Sequence, residues 1–552
     1  MLVAVAAAVR LAQVAESTID VQLLAINDFH GALEPASGAN GRIGATDAGG
    51  VEYLATHLSR LKATNPNTFI VSAGDNIGGT PLLSSLSHDE ASIEALNLAG
   101  LQVSALGNHE LDEGWWELYR MQKGGCHPVD GCQDGTPFAG AAFPYLAANV
   151  TLDPRRADPV VVTRAGVQGA EPRPLLPAYT IRDVNGVRIG FIGLILQEAP
   201  SVIIPTSVRG LTFGPEIATA NDAARKLREQ GVRAIVVLIH EGGAPGSGDI
   251  NGCDGLSGDI VDLANRSSAD IDVIVSGHTH RAYNCTIGNK LVTSASSSGR
   301  VITDIDLRIR RADGEVVSKS ARNVVVSRDV EKDPRETALI AHYRPVAERV
   351  GGRVVGSIGA SLLRAANDTG ESALGDLIAD GMLEAARTTP GGDAVIAFTN
   401  LGGIRADILR PAGGAAIPVT YAQLFEVVPF GNVVMVKSLT GEAIAQVLEQ
   451  QFDLSRILQV SQGFTYTYDS SRPRGQRIDR SSIRINGVPL VPTQRYRVAT
   501  TDFLWTRGDG FSALESGTDP VTVGVDVDVF ADYFSRHSPV SPGPQNRIRK
   551  RR

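Results

Sequence analysis

Five short apolar runs in the first half of the chain each end directly on residues that bind metals. Residues 21–26 lead into Asn27-Asp28-Phe29-His30, and residues 69–72 into Gly74-Asp75-Asn76. Residues 103–106 lead into Gly107-Asn108-His109-Glu110, residues 235–239 into His240, and residues 273–276 into Gly277-His278-Thr279-His280. Between the runs lie stretches with apolar residues at helical spacing, such as 50–62 and 217–230, so the alternation is that of an α/β domain. In such architectures the carboxyl ends of the strands open on one crevice, where ligands bind. Residues distant in sequence are therefore expected to converge.

The converging set is Asp28, His30, Asp75, Asn108, His240, His278 and His280. Carboxylate, imidazole and amide oxygen suit divalent Zn, Mn, Mg, Co or Fe, and the lack of thiolate argues against a structural zinc site. Seven ligands exceed the needs of one catalytic ion and fit two, with Asp75, central in the order, as the bridging carboxylate. Two ions about 3.5–4 Å apart suit in-line displacement at phosphorus. A single histidine after a strand is more often structural than a ligand. Of the 10 histidines, however, five fall in these strand-end groups. The other five, His57, His88, His127, His342 and His537, lie in no such context and read as structural.

Asp28-x-His30, Gly74-Asp75, Gly107-Asn108-His109-Glu110, His240 and Gly277-His278-Thr279-His280 together resemble the signature of the calcineurin-like metallophosphoesterases. The variants Asn27-Asp28-Phe29-His30-Gly31 and Asn108-His109-Glu110-Leu111-Asp112-Glu113-Gly114 resemble the 5'-nucleotidase family in particular. The resemblance implies a four-layer α/β catalytic domain with two mixed β-sheets flanked by helices, then a helical linker and a smaller α/β substrate-binding domain. It implies Asp28, His30, Asp75 and His280 on one ion, and Asp75, Asn108, His240 and His278 on the other. It makes His109 the residue that stabilises the transition state or protonates the leaving group, with Asp112 orienting it. Some relatives carry Gln where this chain has His280, and both can ligate.

The second half offers a reader for the organic part of a phosphate ester. Asn400-Leu401-Gly402-Gly403-Ile404-Arg405 is a Gly-rich turn presenting one guanidinium, a planar fork for phosphate. Pro429-Phe430-Gly431-Asn432, Asp502-Phe503-Leu504-Trp505 and Arg507-Gly508-Asp509-Gly510-Phe511 set aromatics beside Gly and polar groups. In this order they resemble the 5'-nucleotidase C-terminal domain. That implies Phe430 and Phe503 as a base clamp, Asn432 on the base, Asp509 on the ribose and Arg405 on the phosphate, with Arg364 as a second phosphate contact.

Composition bounds the rest. The 552 residues are 43% hydrophobic and 20% charged, which is globular rather than disordered. The net charge of -8 argues against a nucleic-acid polymer as partner. No apolar run reaches the roughly 18–20 residues of a membrane span. Met1 to Leu11 is short, apolar and Ala-rich, like the core of a secretory signal. The four cysteines form two local loop pairs, Cys126 with Cys132 and Cys253 with Cys285, read as bridges of an oxidising compartment. The expected division is 1–17 as a leader, 18–328 as catalytic domain, 329–352 as linking helix, 353–546 as substrate domain and 547–552 as a solvated basic tail. Residues 301–310 alternate strictly and are expected as a half-exposed strand near the end of the catalytic domain. The expected protein is a secreted or cell-envelope monomer or homodimer. It uses two divalent ions to hydrolyse nucleoside 5'-monophosphates to nucleoside and phosphate, by in-line attack of a metal-bridged hydroxide. The alternatives are 2',3'-cyclic nucleotides, UDP-sugars or NAD at the same site, or a secreted nucleoside-binding protein without catalysis.

Overall fold

The computed structural model describes residues 17–36, 41–411 and 415–551. The leader-like segment lies outside them, apart from its last residue, Ser17. The chain folds as an N-terminal and a C-terminal domain, both mixed α/β.

The N-terminal domain, expected to be the catalytic domain, is built on two six-stranded sheets. One runs in the order Val316–Val325, Val301–Arg310, Thr18–Ile26, Thr68–Ser72, Val103–Ala105, Tyr145–Leu146. The other runs Ala282–Ile287, Lys290–Ala295, Val273–Ser276, Ala234–His240, Val187–Ile195, Tyr179–Val184. Side chains alternate across each strand. Val21, Leu23 and Ala25 therefore join Val236, Leu238 and Val275 in one core between the sheets. Leu24 and Ile26 point the other way, into a core with Leu54, Leu58 and Leu96 of the helices Val51–Lys62 and Glu90–Ala99. On the far side Ile235, Val237 and Ile239 meet Ala224, Leu227, Ile260 and Leu263 of the helices Glu216–Glu229 and Asp259–Arg266. Four layers result. Strands buried on both faces read as unbroken apolar runs, which is why the sequence pattern was legible.

Residues 301–310 depart from the expectation. Val301 to Ile305 are buried on both faces, Asp304 included, and only the distal half alternates. The reason is a further strand, Val316–Val325, which pairs along its whole length and forms the true edge. The Asp304 carboxylate is held by Gln22 Nε2 at 2.7 Å and by Arg322 Nη2 at 2.8 Å.

The helix Pro334–Gly351 runs between the domains. Asp333 caps it by accepting the Arg335 amide, and Pro334 takes the first position, where no N–H is needed. Its Ile340 and Tyr343 are buried in the catalytic domain's outer core.

The C-terminal domain carries a five-stranded sheet in the order Leu458–Val460, Ile396–Asn400, Arg495–Thr501, Val433–Thr440, Thr518–Val525. The helices Ala373–Thr388 and Asp526–His537 pack on one face, and Gly441–Asp453 on the other. The solvated basic tail is corrected: Ile548–Lys550 forms a strand parallel to Phe464–Tyr468. Ile548 is buried among the basic residues, and the Arg547 guanidinium meets both oxygens of Asp380 at 2.7 and 2.8 Å.

Candidate active site

All seven expected ligands come together at the carboxyl edge of the two sheets. Their ring nitrogens and carboxylate oxygens form two groups, Asp28 with His30 and His280, and Asp75 with His240 and His278, linked by a third, His30 with Asp75 and His109. Asp75 Oδ2 stands between them, 3.0 Å from His240 Nε2 and 3.7 Å from His30 Nε2. Asn108 Oδ1 completes the second group, 3.1 Å from His240 Nε2 and 3.0 Å from His278 Nδ1. His280 Nε2 lies 3.2 Å from Asp28 Oδ1 and 3.0 Å from His30 Nε2.

The backbone is bent to aim them. Asp28, His30, Asp75, His278 and His280 all have φ between 48° and 68°. This left-handed region costs an L residue on the order of 1–2 kcal/mol, and such strain gathers at functional sites. Cross-links between the loops hold the conformation. The Asp28 and His30 amides donate to the Gly74 and Asp75 carbonyls, each at 3.0 Å, and the Ser298 amide donates to the Asp28 carbonyl at 2.7 Å.

The donor chemistry fits divalent cations. His30 donates Nδ1–H to the Gly78 carbonyl at 2.8 Å, and His240 donates Nδ1–H to the Ala73 carbonyl at 2.9 Å. Each Nε2 then turns a lone pair into the site. At His240 that lone pair faces two oxygen acceptors, an arrangement that is repulsive unless positive charge lies between them. The demand for positive charge also shows in the titrations. Burial opposes a charged His240, yet Asp75, Asp28 and Glu110 push it up to about 10. Burial likewise opposes the Asp75 charge, and His240 and His109 hold its carboxyl well below the usual range. Buried carboxylates need paired charge.

His109 stands beside the ligands, its amide donating to Asp75 Oδ1 at 2.9 Å and its Nδ1–H to Asp112 Oδ2 at 2.7 Å. Opposite, the C-terminal domain closes a cavity of about 450 Å³ over this floor. Arg405 reaches within 3.4 Å of His30 Nε2. The Phe430 ring stacks on His109, centroids 5.4 Å apart and planes 14° apart. Phe430 comes this close because residue 79 is Gly: a Cβ there would lie 2.9 Å from Phe430 Cε1. Phe503, Asn432 and Asp509 line the same cavity. Arg364 is not among the lining residues. It stands behind Arg405 and donates Nη1–H to the Arg405 carbonyl at 2.8 Å. Both cysteine pairs are bridged, Cys126 to Cys132 and Cys253 to Cys285.

Similarity to known proteins agrees with this geometry. The family model of the calcineurin-like phosphoesterases matches residues 21–282, and that of the 5'-nucleotidase C-terminal domain matches residues 350–516. Cell wall protein Lmo0130 of Listeria monocytogenes is 30% identical over 551 residues, covering 95% of this chain and 68% of its own. The chain belongs to the 5'-nucleotidase family. Endonuclease YhcR of Bacillus subtilis is 31% identical over 541 residues, and the match spans 96% of this chain but only 41% of that relative. The crystal structure of a 5'-nucleotidase precursor from Thermus thermophilus aligns with a TM-score of 0.77 at 27% identity, covering 96% of this chain and 99% of that one. Calcineurin-like phosphoesterases use divalent metals, and the carboxylate–imidazole groups on the cavity floor are candidates to hold them.

Within this family frame, the structure adds residues to which the sequence pattern assigned no role. Glu110 is buried and accepts the amides of Asp75, Asn76 and Gly107 at 3.0, 2.7 and 2.7 Å. It thereby fixes the turn that carries Asp75. Asn27 clamps Asp28, donating to its Oδ2 at 2.6 Å and accepting the Ala295 amide at 2.7 Å. Asn400 Nδ2 donates to Asp509 Oδ2 at 2.7 Å, and Arg456 is ion-paired with the other oxygen. Glu110 and Asn400 stood inside the recognised motifs. Nothing local marked Arg456.

Proposed function

We propose that this protein hydrolyses nucleoside 5'-monophosphates to nucleoside and phosphate with two divalent cations. The observation that carries the reading is one cavity with two unlike walls. One carries Asp75, Asn108, His278 and His280 of the carboxylate–imidazole groups, and the other carries Arg405, Phe430, Phe503 and Asp509. Asp28, His30, Asp75 and His280 would hold one cation, and Asp75, Asn108, His240 and His278 the other. Bound there, such ions supply positive charge to phosphoryl oxygens and lower the pKa of an attacking water.

The chain's own groups supply the rest. Arg405 donates N–H bonds to the phosphate, with a geometry that a planar fork favours. Phe430 and Phe503 hold the base, Asn432 contacts it, and Asp509 accepts from the ribose hydroxyls. His109, fixed by Asp112, delivers a proton to the leaving 5'-oxygen as the bond to phosphorus breaks, so that nucleoside departs neutral. The two disulfides support a secreted or cell-envelope location, since such bonds persist in oxidising compartments.

A substrate panel tests the reading. Initial rates of substrate loss for AMP, 2',3'-cyclic AMP, UDP-glucose and NAD are compared by chromatography at fixed Mn²⁺ or Zn²⁺, because only AMP releases inorganic phosphate in its first step. AMP is expected to give the highest kcat/KM. A diester or pyrophosphate turned over tenfold faster than AMP would sink the monophosphate assignment.

A further inference from the structure

The rim of the cavity carries a second cluster of metal-type donors, separate from the floor. His88 and His127 lie face to face, ring centroids 3.7 Å apart and planes 17° apart. Asp130 Oδ2 faces both, 2.9 Å from His88 Nε2 and 3.1 Å from His127 Nδ1. On its other side His88 Nδ1 meets Glu113 Oε2 at 2.8 Å. Three segments are brought together here. His88 follows the short helix Leu82–Ser85, Glu113 precedes the helix Trp115–Lys123, and His127 and Asp130 sit in the loop closed by Cys126–Cys132. His88 and Glu113 line the cavity itself.

We propose that His88 Nε2, His127 Nδ1 and Asp130 Oδ2 bind a further divalent cation of the zinc type, with Glu113 orienting His88. The three atoms lie within 4.8 Å of one another. Around a tetrahedral ion with bonds of about 2.0–2.1 Å, donors sit roughly 3.3–3.4 Å apart. The separations of 2.9 and 3.1 Å fall within about half an ångström of that. Two imidazoles and a carboxylate are borderline donors that suit zinc, and they leave the fourth position to water. A ligating histidine whose other nitrogen meets a carboxylate, as His88 meets Glu113, is the usual outer support of such a site. The Asp130 amide donates to the His127 Nδ1 lone pair at 3.2 Å, a bond that a cation at that nitrogen would displace. Glu117, though near His127, is taken up by Arg120 at 2.8 and 3.0 Å.

A cation in the cluster would pin the disulfide loop to the rim. Asp134, two residues past the bridge, reaches His342 on the helix Pro334–Gly351 at 3.0 Å, so the segment that follows the pinned loop touches the connector between the domains.

The competing arrangement is a purely protein one, with His88 as a protonated imidazole between two carboxylates. Metal counting separates them. Chelator-stripped protein is titrated with Zn²⁺ by calorimetry, and bound zinc is counted after gel filtration. The wild type is compared with the double variant His88→Ala, His127→Ala and with Asp130→Asn. The double variant should bind one equivalent fewer than the wild type, whatever the total. Asp130 is an exposed side chain, so Asp130→Asn spares the stack. It should leave the other sites unchanged and weaken binding at the rim site at least tenfold. Equal equivalents and equal affinities in all three proteins would overturn the proposal.

Discussion

Removing the aromatic rings separates recognition of the base from chemistry at phosphorus. Phe503 and Phe430 both line the cavity, but only Phe430 touches the catalytic floor, through its stack on His109. Phe503 instead packs on Gly508, where a Cβ would lie 2.6 Å from its Cδ1. Base–aromatic stacking contributes about 1–3 kcal/mol per base. At 1.4 kcal/mol per factor of ten, Phe503→Ala should raise KM for AMP by about 5- to 150-fold. Its kcat should stay near the wild-type value, because no contact to His109 is lost. Ribose 5-phosphate has no base, and its kcat/KM should change less than about twofold on the same scale. Phe430→Ala should show the same discrimination and also lower kcat on both substrates, since His109 loses its stacked neighbour. The assay is steady-state phosphate release on both substrates with all three proteins. If Phe503→Ala slowed AMP and ribose 5-phosphate equally, or neither, the clamp would be refuted.

Three other expectations can be checked independently. Arg456 opposes the upward push that burial gives the Asp509 carboxyl. Arg456→Ala should therefore raise that pKa further and move the acidic limb of kcat/KM for AMP to higher pH, and an unmoved limb would remove Arg456 from substrate binding. On the connecting helix, burial and then Asp333 raise the Glu336 carboxyl from 4.5 to about 8, and neither oxygen has a hydrogen-bond partner. The folded state thus holds a proton that the unfolded state has released, so this group's stabilisation is complete below pH 4.5 and fades as pH rises to about 8. Glu336→Gln should flatten that decline and gain on the order of 1–3 kcal/mol at pH 8 relative to pH 5, read from urea melts at both. Opening the Cys253–Cys285 bridge by a double Cys→Ser change frees a loop of 32 residues. It should cost the catalytic domain about 3–4 kcal/mol, and a wild-type melting curve would show that the bridge contributes nothing.

What the sequence disclosed follows from where physics is local. The convergence of the seven candidate ligands was legible because doubly buried strands leave continuous apolar runs, and each run stops where a candidate begins. The left-handed conformations of Asp28, His30, Asp75, His278 and His280 were not, since they are imposed by loop-to-loop hydrogen bonds between distant segments. The same limit hid the burial of Asp304, which depends on an edge strand, and the strand Ile548–Lys550, which only its pairing with Phe464–Tyr468 explains. His88 and His127 read as ordinary histidines because no apolar run precedes them. Their meeting depends on the path of the disulfide loop. Arg364 looked like a phosphate contact by its motif, and its place behind Arg405 depends on how the loop around Asp407 is held, through the Arg364 amide at 2.8 Å.

The central claim is that cations held around Asp75 carry out the phosphoryl chemistry. It is tested by phosphate release from AMP with chelator-stripped protein, before and after adding back Mn²⁺, Zn²⁺ or Co²⁺, with Asp75→Ala in parallel. Stripped wild type should be inactive and should recover with at least one divalent ion, while Asp75→Ala should stay inactive with every ion. Turnover that survives stripping, or an Asp75→Ala protein that works at the wild-type rate, would contradict the account.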